Sequence, residues 1–164
     1  VNSDGTKKIG FISEPDAVFG ERLKLTRSGL QVQGMLQDRA IGRCCFCTPD
    51  DDEVVIYPGT YWRVVENKYP YKGTVHHLLI IPVRHFTAIH EASSSELQEL
   101  HDIYQELATL YPSDAYSITY RNGKNNVVAG ATQPHLHIHY TLPNGKQDIQ
   151  FRIGACVSEP VQPK

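Results

Sequence analysis

Runs of apolar residues separated by polar, proline- and glycine-bearing stretches divide the chain into short elements. Two strand-like runs, 54–57 and 61–66, flank Pro58-Gly59 and predict a hairpin. The stretch Asn67-Lys-Tyr-Pro-Tyr-Lys-Gly73 interrupts the pattern, after which Val75-His-His-Leu-Leu-Ile-Ile81 predicts a buried strand ended by Pro82. Ser93-Ser-Ser-Glu96 has the form of a capping box, and Leu97, Leu100, Tyr104, Leu107 and Tyr111 follow at helical spacing as far as Pro112, so a helix is expected over 94–110. Residues 115–121 alternate like a strand, 122–130 form a polar loop, and 135–142 alternate again. Pro143-Asn144-Gly145 then turns the chain toward an expected strand at 148–153. Ahead of all this, 1–8 are polar and 9–43 mix small apolar groups without a helical or strand period. The expected organisation is an N-terminal arm (1–43), one domain (44–155) and a tail (156–164). Its fold class is α+β, an antiparallel sheet with one main helix.

The alternating run at 135–142 carries chemistry. In Gly130-Ala-Thr-Gln-Pro-His135-Leu-His137-Ile-His139-Tyr140 three histidines fall at every second position, which on a strand puts their imidazoles on one face and Leu136, Ile138 and Tyr140 on the other. Neutral imidazole serves as nucleophile, proton carrier and metal ligand near neutral pH. A chance cluster on a solvated strand is the plain alternative. The small residues before the triad favour a reaction centre, because they let backbone N–H groups approach a phosphate.

Composition narrows the classes. With 164 residues, 40% of them hydrophobic, the chain has material for one core. A formal net charge of −2 provides no global field toward nucleic acid or an acidic membrane, so any anion must be bound by a local site. No apolar run is long enough for a membrane span, and the polar opening lacks a signal-peptide core. A soluble cytoplasmic protein is expected. Of the four cysteines, Cys44, Cys45 and Cys47 crowd into one tetrapeptide. In an intracellular chain the Cys-x-x-Cys spacing favours metal or redox chemistry over a disulfide framework.

His135-Leu-His137-Ile-His139 resembles the signature of the histidine-triad family. His77-Leu-Leu-Ile-Ile-Pro82-Val-Arg84-His85 is similar to that family's His-x-Leu-x-Ile-Pro-x-Arg/Lys-His strand, and Cys44-x-Phe-Cys47 to the opening of its zinc-containing members. Three motifs in the family's order cover about 44–142. The resemblance implies that His137 attacks an α-phosphate and becomes a nucleotidyl-histidine, its second ring nitrogen held by a main-chain carbonyl at His135. It places Thr132 against the phosphate, His139 toward the phosphate or leaving group, and His77 in the wall of the site. Asn67 would meet the ribose and Asn122 the reacting phosphate, with Gly130 and Gln133 in the loop at the substrate. Cys44, Cys47, His85 and His135 would hold a structural zinc ion, leaving Cys45 and Cys156 as free thiols. His76, His90 and His101 receive no role.

The substrate implied is a nucleoside phosphoramidate or dinucleoside polyphosphate, hydrolysed to a nucleoside monophosphate by a homodimer without specific affinity for nucleic acid. Rival readings remain open. Gly130-Ala-Thr-Gln-Pro134 is similar to the branch with galactose-1-phosphate uridylyltransferase and the dinucleoside-polyphosphate phosphorylases, which favours a nucleotidyltransferase. That branch usually has glutamine where this chain has His139, and a third histidine is similar to the hydrolases. A non-catalytic, zinc-ordered nucleotide-binding module is the second rival. An open catalytic zinc site on His135, His137 and His139 is the third.

Overall fold

The computed structural model describes residues 29–124, 128–151 and 153–154. The elements run α1 (Gly29–Ile41), β1 (Val55–Pro58), β2 (Trp62–Glu66), β3 (Thr74–Pro82), a 3-10 turn (Ile89–Glu91), α2 (Ser94–Leu110), β4 (Ser117–Thr119) and β5 (Ile138–Pro143). The five strands form one antiparallel sheet in the order β1-β2-β3-β5-β4. The α+β class is as expected. A second helix, α1, occupies part of the expected N-terminal arm, where the apolar positions show no sustained helical period. Its buried Val32 is packed by Met35 and Leu36, a helical i, i+3, i+4 set that is short and interrupted by Gly34. Residues 1–28 and the tail 156–164 lie outside the described residues.

The two faces of the sheet have different chemistry because the register alternates side chains across it. Val64, Ile80 and Ile138 stand opposite one another on three neighbouring strands, as do Leu78 and Tyr140. All five belong to the main core, with Trp62, Phe86, Leu136 and Leu142, and with Leu100, Ile103 and Leu107 of α2. The other face presents Val65, Leu79 and Ile81, covered by Phe46, and beside them His77 and His139. Binary alternation therefore delivers apolar residues to the helix side and histidines to the opposite side.

Helix α2 begins where its sequence predicts. Ser93 caps it, its hydroxyl accepting from Glu96 N–H while the Glu96 carboxylate accepts from Ser93 N–H at 2.6 Å. The buried Glu96 also takes both arms of Arg84, at 3.1 and 3.0 Å, and its carbonyl accepts from the Trp62 indole at 2.7 Å. These bonds lock the helix start to the end of β3 and so fix the backbone next to His85. No helix among the described residues is long and apolar enough to cross a membrane.

Strand β5 starts at Ile138, three residues later than the alternation predicts. Leu136 N–H donates to Phe86 O, and the His135 carbonyl is taken by the His137 ring, so these residues make no ladder bonds with β3. The alternation of side chains nevertheless continues: Leu136 is in the core and the histidines face the other way. Strand β4 is shorter than the expected 115–121. The described residues of the expected strand at 148–153 are not a strand, and the segment packs by its side chains instead.

Candidate active site and metal centre

His77 and His139 are brought together by the register of β3 and β5. His77 stands opposite Thr141 and Leu79 opposite His139, which makes the two histidines diagonal neighbours on one face. Their rings meet with His77 Nε2 2.9 Å from His139 Nδ1. Backbone groups settle which nitrogen holds the proton. Tyr71 N–H donates to His77 Nδ1 at 3.0 Å, so neutral His77 carries its proton on Nε2 and donates it to His139 Nδ1. Neutral His139 then presents Nε2–H. Asn67 is at the same place: its side-chain nitrogen lies 3.3 and 3.1 Å from the two ring nitrogens of His77, and its backbone N–H donates to His77 O.

His137 has the reverse tautomer. Its Nδ1–H donates to the His135 carbonyl at 2.9 Å, an oxygen that can only accept, and this leaves the lone pair on Nε2. The ring is buried next to His139, with centroids 5.1 Å apart, and Phe46 packs on it at 5.0 Å. A ring with its lone pair on Nε2 and a ring presenting an N–H donor thus sit side by side, both largely buried.

His135 turns elsewhere. Its Nε2–H donates to Pro82 O at 3.0 Å, and its Nδ1 faces Cys44 Sγ at 3.4 Å and Cys47 Sγ at 3.5 Å. Cys47 Sγ is also 3.3 Å from His85 Nδ1. The four ligand atoms lie within 4.8 Å of one another and form a group that could hold a metal ion. Neighbouring sulfur and nitrogen ligands of tetrahedral zinc stand about 3.6 Å apart, so both the spacing and the two-thiol, two-imidazole donor set suit that ion. Burial, followed by Cys47, pushes the Cys44 thiol up to about 12, and burial, followed by His85, pushes His135 down to about 3. A neutral imidazole is the ligating form, and thiol deprotonation would accompany metal binding. A turn places the cysteines, with Cys47 N–H and Thr48 N–H donating to Cys44 O, and Arg63 of β2 donates to Phe46 O at 2.9 Å.

The remaining expected residues are spread around this centre. Gly130 has φ +95, a conformation suited to glycine, and leads through half-buried Thr132 and buried Gln133 into the triad. Asn122 is tied to the 3-10 turn, its Oδ1 accepting from Ile89 N–H at 2.7 Å. Three aromatic residues escaped the sequence reading. Phe46 was legible inside the Cys-x-Phe-Cys motif as the residue between two ligands. Tyr71 lies in the stretch that interrupts the strand pattern, yet it packs on His77 and His139 at 4.4 and 5.5 Å. Phe151, which meets His139 at 5.6 Å, carries no local signal, since its contact is made across the fold.

Comparison with known proteins agrees with this architecture. The family model described as scavenger mRNA decapping enzyme C-term binding matches residues 42–153. No curated protein matches the chain. Among solved structures, a hypothetical protein from Leishmania major is similar with a TM-score of 0.53 at 18% identity, over 72% of this chain and 82% of that one. A hypothetical histidine triad nucleotide-binding protein from Sulfolobus tokodaii has a TM-score of 0.50 at 24% identity, over 68% and 78% of the two chains. A HIT family hydrolase from Clostridium thermocellum gives 0.50 at 24%, over 66% and 96%. These likenesses concern the fold, whereas the family match spans more than half of the 164 residues: the chain belongs to the scavenger mRNA decapping enzyme C-terminal family, within the histidine-triad superfamily.

Proposed function

We propose that the protein is a nucleotide hydrolase in which His137 Nε2 attacks an α-phosphorus and forms a nucleotidyl-histidine. The observation that carries this reading is the His137 tautomer, with Nδ1–H bound to the His135 carbonyl and the lone pair left on Nε2. In the first half, the nitrogen–phosphorus bond forms as the bond from phosphorus to the leaving group breaks. The electron pair stays on the leaving group, which accepts a hydrogen bond from His139 Nε2–H. In the second half, water bonds to phosphorus, the pair of the nitrogen–phosphorus bond returns to Nε2, and the proton shed by water neutralises the departed group. Phosphoryl transfer of this kind depends on positioning and charge stabilisation, which the His77–His139 contact supplies.

The substrates of this reading are nucleoside phosphoramidates and dinucleoside polyphosphates. The name of the matched family concerns mRNA decapping, and a 5′ cap is itself a dinucleoside triphosphate, so capped dinucleotides belong in the same class. Thr132, Gln133, Gly130 and Asn122 would line the phosphate and Asn67 the ribose. Cys44, Cys47, His85 and His135 would hold zinc. A closed four-ligand site supplies rigidity to the approach to His137 and leaves no position for water. That geometry disfavours a three-histidine catalytic zinc, because the His135 ring faces the thiols.

The test is product identification with a dinucleoside triphosphate and a nucleoside phosphoramidate, in water alone and with inorganic phosphate or a hexose phosphate. Release of nucleoside monophosphate in water alone is expected. Turnover only with an acceptor would make the protein a nucleotidyltransferase, and binding without turnover a nucleotide-binding module. Sedimentation of the same preparation tests the homodimer that belongs to this proposal.

A further inference from the structure

The segment after β5 leaves the sheet and comes back to the triad. Asn144 N–H donates to Gly73 O at 2.8 Å as the chain leaves the strand. Gln147 and Ile149 then pass so near Gly73 that a Cβ there would lie 3.0 Å from Gln147 Cγ and 3.3 Å from Ile149 Cγ1. Gly73, at φ +91, is free of that crowding and of backbone strain. Farther on, Gly154 N–H donates to Ala129 O at 3.1 Å. Between these anchors lies Phe151, half-buried, its ring 5.6 Å from that of His139 with the planes at 77°. Phe151 also meets Tyr71 at 6.2 Å, and the Arg121 guanidinium lies 4.0 Å from its centroid. Arg121 Nε donates to Ala129 O at 3.0 Å, the same carbonyl that anchors Gly154.

The His139 ring is packed by His77 at Nδ1, by the His137 ring at 5.1 Å, by Tyr71 nearly parallel to it at 19°, and by Phe151 edge-to-face. A hydrogen bond to a leaving group is strongly directional, so a donor ring that swings loses much of its effect. The hydrogen bond to His77 leaves the ring free to tilt about its own contact, and the rings packed around it resist the tilt, with Phe151 the one that comes from the segment after β5.

We propose that Phe151, carried on a segment outside the sheet, is a positioning residue that keeps the His139 ring aimed at the leaving group. The inference rests on the reading of His139 as the leaving-group donor. It adds to the site a residue from beyond the stretch that resembles the histidine-triad pattern, and a specific consequence. Stabilisation at the leaving atom matters most when that atom is basic, so Phe151 should control which leaving groups are accepted more than how tightly the nucleotide binds.

The experiment compares phenyl and 4-nitrophenyl esters of adenosine 5′-monophosphate on the wild type, Phe151→Ala, Phe151→Leu and Phe151→Tyr. For Phe151→Ala the kcat of the phenyl ester should fall about tenfold or more and that of the 4-nitrophenyl ester less than about threefold, with KM little changed. Phe151→Tyr, which keeps the ring, should restore the wild-type ratio. Phe151→Leu, which keeps bulk without the ring, should resemble the alanine variant and guards against a folding defect. Equal losses on both esters, or unchanged rates, would overturn the proposal while leaving the hydrolase reading standing. A wild type that cleaves neither ester nor any dinucleoside polyphosphate would instead overturn the hydrolase reading itself.

Discussion

His77 and His139, 62 residues apart in the chain, share a 2.9 Å contact between Nε2 of one and Nδ1 of the other. The direction of that bond follows from the Tyr71 N–H that occupies His77 Nδ1, so a backbone amide in the loop before β3 decides which nitrogen of His139 carries a proton. Replacing His77 by alanine frees the tautomer of His139. We expect turnover to fall roughly 100-fold, the scale of a reacting group that loses its proper geometry. Metal content should be unchanged, because His77 is outside the cysteine and histidine group. Kinetics and elemental analysis on the same preparation check both halves.

The metal group makes a separate prediction. The protein purified without added metal should contain one zinc ion per chain, and Cys47→Ser should lose metal and thermal stability together, since binding free energy at such a site is folding free energy. Zinc retained in full by that variant would remove the closed site from the account.

Phe46 links the two centres, packing on the His135 ring at 5.8 Å and the His137 ring at 5.0 Å. Phe46→Ala should therefore lower turnover by about tenfold through misplacement of the nucleophile, with zinc still bound because both flanking thiols remain. Loss of zinc in parallel with activity would show that the ring serves the metal loop alone.

Much of this arrangement was legible in the sequence, and the reasons differ by element. The apolar run at 75–81 and the Ser93/Glu96 capping box name β3 and α2 because each signal is local and strong. The triad and the cysteine pair were legible because their spacing carries their chemistry. Helix α1 carries a weak signal because, among the described residues, its buried stripe is the short set Val32, Met35 and Leu36 with Gly34 among them. The start of β5 was misplaced because side-chain alternation persists through His135 and His137, while their carbonyl and amide partners lie off the ladder. Phe151 and Tyr71 were invisible for a different reason: each acts through a tertiary contact with His139, and no period or spacing records it.

Acid stability has a named contributor. The Arg84 guanidinium first, and the Ser93 cap besides, hold the Glu96 carboxyl below its ordinary 4.5 against the opposing effect of burial. A folded-state value depressed in this way contributes stability that is present above 4.5 and lost as the pH falls through the lower folded value. Glu96→Gln should lower the thermal midpoint at pH 7, and the gap from wild type should narrow below pH 4.5. A gap independent of pH would assign the loss to the neutral hydrogen bonds of the cap alone.

The central claim is that His137 becomes covalently attached to the nucleotide. Mixing the enzyme with a dinucleoside triphosphate, quenching in alkali and sequencing the peptides by mass spectrometry tests it directly. The account predicts the mass of a nucleoside monophosphate on the peptide at His137, and for His137→Ala no adduct and a loss of turnover of at least about a thousandfold. Substantial turnover in His137→Ala, or an adduct on a different residue, would contradict it.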